Sequence, residues 1–133
     1  MIVVDTNVLA YLLIVGDRTP DAQALFARDP DWRSEAFVLV EFSNVLATYL
    51  RAGALSGSQA RALLGEAEKR MRGLINLPHQ RALEVVEKFA VSGYDARFLA
   101  AAQGLRSRLV TEDLRLRKAA PDLTMSLAEA TAR

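Results

Sequence analysis

The sequence has no cysteine and one histidine, His79. The first absence excludes disulfides and thiolate-held metals, and the second excludes a multi-histidine zinc site. A chain without cysteine fits a reducing cytoplasm. No stretch approaches the roughly 20 apolar residues of a membrane span. The N-terminal apolar run lacks a basic leader and is interrupted by Asp5 and Asn7, so no secretory signal is expected there. Repeats, low-complexity tracts and linkers are missing too. The 133 residues, half of them apolar and a quarter charged, suit one domain with a real core, and the expectation is a single domain over 1–133. Lysine is scarce: of 17 bases, 14 are arginine and 3 lysine. Arginine's planar fork suits phosphate, although a GC-rich genome gives the same bias. A net charge of +1 taken alone argues against a strongly basic nucleic-acid binder.

What is present alternates. The run 2–4, "IVV", is too β-branched for a helix start and reads as a buried strand, and 6–15 reads as a helix. A loop over 16–21 places Pro20 to begin a helix that runs to about Arg28, and "DPD" at 29–31 ends it. Residues 32–35 form a short strand. Residues 37–53 form a helix with apolar residues at 38, 42, 45, 46 and 49 and Gly53 as its C-cap. Next come a polar-faced helix over 56–73, a strand over 74–78 closed by proline, and helices over 79–92 and 94–105 parted by Gly93. A strand over 108–111, a short helix over 113–120 and a strand over 123–126 complete the chain. Strands alternating with helices predict an α/β fold: parallel strands with helices on both faces. In such sheets the functional crevice lies beyond the carboxyl ends of the strands.

Four acids fall where that crevice would be. Asp5 follows the first strand; it reads as a helix N-cap, although Thr6 and Asn7 could cap equally well. Glu41 sits in "FVLVEFSNVL", flanked by apolar residues. A carboxylate buried there needs a partner, either an arginine such as Arg33 or Arg97, or a metal. Asn44 shares its face and could orient the carboxylate or contact substrate. Asp95 belongs to the first turn of a helix, where the helix dipole favours it. Asp113 closes "LVTED", with Thr111 as a plausible N-cap and Asp113 as a first-turn acid; Glu112 reads as solvated surface.

Each acid has a bland explanation, but their conjunction has a chemical one. Two lie at the mouths of parallel strands and two on helices that pack beside that mouth. Like charges about 4 Å apart repel by roughly 4 kcal/mol per pair at an effective dielectric of 20, so a converging cluster needs cations. All-oxygen ligands select hard ions, which implies Mg²⁺ or Mn²⁺, and carboxylate-held Mg²⁺ serves phosphoryl and phosphodiester chemistry. With the four acids set aside, 17 bases face 12 acids. Arg106, Arg108, Arg115, Arg117 and Lys118 flank Asp113 closely in sequence, which suits a polyanionic substrate, though any one of them could simply be solvated.

The pieces "VVDTNVLAYLL", "VEFSNVL", "YDARFLAAA" and "LVTEDLRLRKAAP" span nearly the whole chain. Together they resemble the PIN-domain ribonucleases, specifically the VapC-type toxins of toxin–antitoxin pairs. The resemblance implies an α/β/α sandwich around a short, mainly parallel sheet. It carries metal-binding and catalytic roles onto Asp5, Glu41, Asp95 and Asp113, with Thr6, Asn7, Asn44 and Thr111 as supporting polar residues. It also implies Mg²⁺ or Mn²⁺ as cofactor, RNA as substrate, a homodimer, and an antitoxin partner whose extended tail blocks the site. In "SEAFVLVE", Glu35-Ala36-Phe37 stands where many relatives carry a small polar residue before proline.

The expected activity is that of a Mg²⁺-dependent endoribonuclease whose metal-activated water cleaves RNA to leave a 5′-phosphate and a 3′-hydroxyl. The alternative is a non-catalytic RNA- or protein-binding module that keeps the acids for stability. A haloacid-dehalogenase-like phosphatase ranks below both, because it needs an aspartate where Asn7 stands. In the 37–50 helix, Phe37, Leu39, Val40 and Leu50 lie off the main apolar stripe, and such surface is usually covered by a partner. The chain is therefore expected to sediment as a dimer at micromolar concentration, and a monomer there would refute the dimer.

Overall fold

The computed structural model describes residues 1–133. In chain order the elements are β1 (Ile2–Val4), α1 (Thr6–Leu13), α2 (Thr19–Arg28), β2 (Trp32–Glu35), α3 (Phe37–Arg51), α4 (Gly57–Arg70) and β3 (Gly73–Ile75). They continue with α5 (His79–Phe89), α6 (Gly93–Gly104), β4 (Leu109–Val110), α7 (Leu114–Ala119), β5 (Thr124–Met125) and α8 (Leu127–Ala132). The five strands form one sheet in the order β3-β2-β1-β4-β5, and every neighbouring pair is parallel. Val3 is in register with Arg33 on one side and Leu109 on the other.

The strand order explains the layers. The chain moves outward from β1 to β2 and β3, then returns past β1 to lay down β4 and β5. Right-handed crossovers in opposite directions put α1–α4 on one face and α5–α7 on the other, giving an α/β/α sandwich. Packing agrees: α1 contacts α2, α3 and α4, whereas α6 crosses β1, β2 and β4 with α5 against it. A buried cluster including Val3, Val4, Leu9, Trp32, Phe42, Phe98 and Leu109 joins the layers. Small Ala100 and Ala102, both buried, let α6 lie close to the strands. The reversal between β1 and β4 is the topological switch point, where such sheets open a crevice at their carboxyl ends.

Several boundaries differ from the sequence expectation, each for a local reason. α4 stops at Arg70, and Gly73 belongs to β3, where an added Cβ would lie 2.7 Å from Cδ of Arg33. β3 ends at Ile75 because the Leu77 N–H turns to the carboxylate of Glu35 at 3.2 Å. Ala90 in the left-handed region, at φ 55°, ends α5; Ser92 caps α6, so Gly93 lies inside α6 rather than parting the two helices. α8 is an additional helix, too short to show periodicity but opened by a capping box of Ser126 and Glu129.

Glu35, in the segment that departs from the family's habit, organises the turn into α3. Buried at 3% exposure, it accepts hydrogen bonds from Phe37 N at 2.6 Å, from Leu77 N and from Arg97 Nη1 at 3.2 Å. Arg97 also donates to the Leu77 carbonyl. Removing one partner of a buried pair leaves an uncompensated charge. Glu35→Ala is expected to lower unfolding free energy by about 3 kcal/mol, and Glu35→Gln by less. Urea unfolding checks this; a loss below about 1 kcal/mol for Glu35→Ala would mean the clamp does not hold the turn.

Candidate active site

The crevice at the ends of β1 and β4 is built around Asp5. Its backbone N–H continues the sheet by donating to the Val110 carbonyl at 3.0 Å, and its side chain caps α1 by accepting from Thr6 N at 2.8 Å. The capping role left open among Asp5, Thr6 and Asn7 thus falls to Asp5. Thr111, fully buried just past β4, donates its hydroxyl to Asp5 Oδ2 at 2.7 Å. The same hydroxyl oxygen accepts from Asp113 N at 3.1 Å and from Asn7 Nδ2 at 3.4 Å. Thr111 is therefore not the cap of α7. Asp113 is, accepting from Arg115 N and Leu116 N.

Glu41 arrives on α3 and is partly buried, as its apolar flanks suggest. Its partner is neither Arg33, which pairs with Asp31, nor Arg97, which pairs with Glu35. Instead Thr6 Oγ1 donates to Glu41 Oε1 at 2.6 Å. Arg97 is turned away because it lies two residues beyond Asp95, and helical residues two apart do not share a face. Asn44 lines a cavity of about 590 Å³ with Thr6, Asn7 and Glu41, but makes no hydrogen bond to the carboxylate, so orienting falls to Thr6. Asp95, in the first turn of α6, gives its backbone N–H to Ser92 Oγ.

Electrostatics tie the four acids together. Burial pushes the Asp5 carboxyl up to about 6 against the pull of Thr111 and Thr6, and the negative charges of Glu41 and Asp95 add to the rise. Asp95 is raised by burial and then by Asp113, while Arg115 pulls it down. None of the four acids forms an ion pair, whereas Asp31, Glu35, Glu66, Glu84 and Glu112 pair with basic side chains and Asp29 with the N-terminal ammonium. The carboxylates are not drawn into a ready metal cage: no three acidic or histidine side chains stand close enough together to hold an ion. The donor set itself, all carboxylate oxygen with hydroxyl and amide support, suits a hard divalent cation.

Two further residues enter at the rim. Glu112 is not solvated surface. It forms an ion pair with Arg18 and accepts from Leu127 N at 3.1 Å, tying α2 and α8 to the end of β4. Nothing in its sequence context pointed to this, because Arg18 is 94 residues away. The Glu35–Arg97 clamp holds the opposite side, and the odd "SEAF" segment was its one sequence signal.

The PIN-domain family model matches residues 2–121, and the chain belongs to that family. No curated protein sequence matches it. Among solved structures it is similar to PAE2754 from Pyrobaculum aerophilum, with a TM-score of 0.79 at 18% identity over 98% of this chain and 95% of the other. It is also similar to a chain of a toxin–antitoxin complex from Klebsiella pneumoniae, with a TM-score of 0.64 at 23% identity over 95% of both chains. At these identities the two likenesses show a shared fold.

The raised Asp5 carboxyl has a stability consequence. The folded chain holds this proton up to about pH 6, whereas the unfolded chain releases it near the ordinary 3.8. The folded state therefore binds more protons across that window, and its stability falls as pH rises through it and stays low above it. At neutral pH the ionised side chain costs the metal-free fold about 3 kcal/mol. Asn caps a helix as well as Asp, so Asp5→Asn is expected to raise the metal-free Tm at pH 7 by about 10 °C. The gap should close by pH 4. A variant no more stable than the parent at pH 7 would contradict the unfavourable burial.

Proposed function

We propose that residues 1–133 form one nuclease domain, a divalent-metal-dependent endoribonuclease that acts in the cytoplasm as the toxin of a toxin–antitoxin pair. The observation that carries this is the set of four acids, from four different elements, left without a basic partner at the switch point of a PIN-fold sheet. Asp5, Glu41, Asp95 and Asp113 are the residues that would hold Mg²⁺ or Mn²⁺. Bound there, the ion would polarise a phosphodiester and make water a competent nucleophile near neutral pH.

The chain's own contribution is positioning and proton handling. Thr111 and the Thr6 N–H fix both Asp5 oxygens, and the Thr6 hydroxyl fixes Glu41. Such supporting hydrogen bonds orient a ligand before the ion arrives. Raised to about 6, the Asp5 carboxyl is suited to exchange a proton just below neutral pH, and burial shifts Asp95 in the same direction. Exposed Arg115 lies close enough to Asp95 to influence it and is placed to meet a phosphate backbone.

The toxin role rests on family membership and on the complex to which the fold is similar. A surface suited to an antitoxin supports it. An apolar groove of about 520 Å³ lies where α1, α3 and α4 meet, lined by Leu13, Ile14, Tyr49, Leu55 and Leu63, with Val15 92% exposed at its edge. A homodimer fits the exposed Val40, Tyr49 and Leu50 of α3. No helix is long and apolar enough to cross a membrane.

Cleavage of a mixed RNA pool tests the activity. The parent chain should cut in Mg²⁺ or Mn²⁺ and stop in EDTA, and Asp5→Asn should lose activity while keeping its fold by circular dichroism. Its Tm, unlike the parent's, should not rise on adding either ion. Cleavage that persists both in EDTA and in Asp5→Asn would overturn the reading. A folded parent that neither cuts RNA nor gains Tm with either ion would favour a binding module.

A further inference from the structure

The cavity beside Glu41 does not end at the acids. A second cavity, also about 590 Å³, adjoins it and shares Phe37, Val40 and Tyr94 as lining. The Phe37 and Tyr94 rings are stacked, with centroids 5.2 Å apart and planes 7° from parallel. Phe37 covers one face of Tyr94, yet Tyr94 stays 62% exposed and neighbouring Val40 58%. The other face of the tyrosine ring is therefore open.

This aromatic pair is fixed to the acids through the backbone. Tyr94 directly precedes Asp95 at the start of α6, and Phe37 is one helical turn before Glu41 on α3. The far side of the second cavity is polar, with Asn76, His79 and Arg97. Arg97 is held there by Glu35, by the Leu77 carbonyl and by His79 Nδ1 at 2.6 Å.

A ligand whose phosphate sits at the acids carries, one nucleotide along, a flat aromatic base. In a duplex both faces of that base are covered, whereas in a single strand they are free to stack on a side chain. We propose that Tyr94, backed by Phe37, is a stacking platform for an unpaired nucleobase next to the phosphate handled at the acids, with Asn76 and His79 at the base's edge. The identity of the ligand as RNA rests on the nuclease reading; the platform itself rests on the ring geometry. A base inside a duplex has no free face to offer the platform.

The probe is a short single-stranded oligoribonucleotide carrying a fluorescent adenine analogue that stacking quenches. It is titrated with the parent in EDTA and with Asp5→Asn in Mg²⁺, so that it stays intact in both. Both should quench it, and the same strand in a duplex should stay bright. On either background Tyr94→Ala should weaken binding by about 5- to 100-fold and abolish the quench, and Tyr94→Phe should restore both. Binding and quench unchanged in Tyr94→Ala overturn the platform. A loss that accompanies a shift from dimer to monomer in sedimentation overturns it as well, because the rings then serve a second copy of the chain. Quench by Tyr94 without cleavage of any RNA sinks the nuclease reading and leaves the platform. Cleavage equally fast in parent and Tyr94→Ala, with no quench in either, does the reverse.

Discussion

Asp5 is a carboxylate buried to 6% exposure at the end of the central strand, with no cation beside it. Desolvation on that scale pushes the group towards its neutral form, and the surroundings answer with donors rather than charges. β4 supplies Thr111, the start of α1 supplies the Thr6 N–H, and Asn7 reaches across to both Asp5 and Thr111. The junction of β1, β4 and α1 is thus held by hydrogen bonds to a single carboxyl. Glu41 is linked to the same junction through the Thr6 hydroxyl. An arginine placed there would have relieved the burial and closed the crevice to any incoming cation.

Elsewhere the chain solves the same problem differently. Glu35 and Glu112 are also largely buried carboxylates near strand ends, and each has an arginine, Arg97 and Arg18 respectively. Those pairs tie loops and helices to the two sides of the crevice. What sets the candidate site apart is therefore not acidity but a buried carboxylate, Asp5, that has hydrogen bonds and no ion pair where Glu35 and Glu112 each have an arginine. Proteins keep such unfavourable arrangements at functional sites, where stability and activity pull in opposite directions.

The surroundings of the acids divide by chemistry. Exposed Arg115 and the short basic helix α7 stand near Asp95, and so do the stacked rings of Phe37 and Tyr94. A charged backbone and a flat base are the two components of a nucleotide, and single-strand binders combine cationic tracks with aromatic faces for that reason. The apolar groove between α1, α3 and α4 shares no lining residue with either of the cavities that Phe37 and Tyr94 line.

The alternation of strands and helices and the sandwich they build were legible in the sequence, as was the place of Asp5 at the end of the first strand. Periodicity and strand-end position are local properties, and a buried β-branched run ending at Asp5 carries both at once. Partner choice was not legible. Glu41 could have paired with Arg33 or Arg97 by composition alone, yet it bonds Thr6, 35 residues away. Glu112 looked solvated and instead meets Arg18, and Thr111 looked like a cap and instead buries its hydroxyl on Asp5. α8, at six residues, left no periodic trace. Sequence by itself determined which residues carry charge and which face of each element is apolar, because both follow from residue type and spacing. Only the tertiary structure decided which charges are neutralised and which are left bare, because that depends on contacts between residues far apart in the chain that form only when the sheet and its layers close.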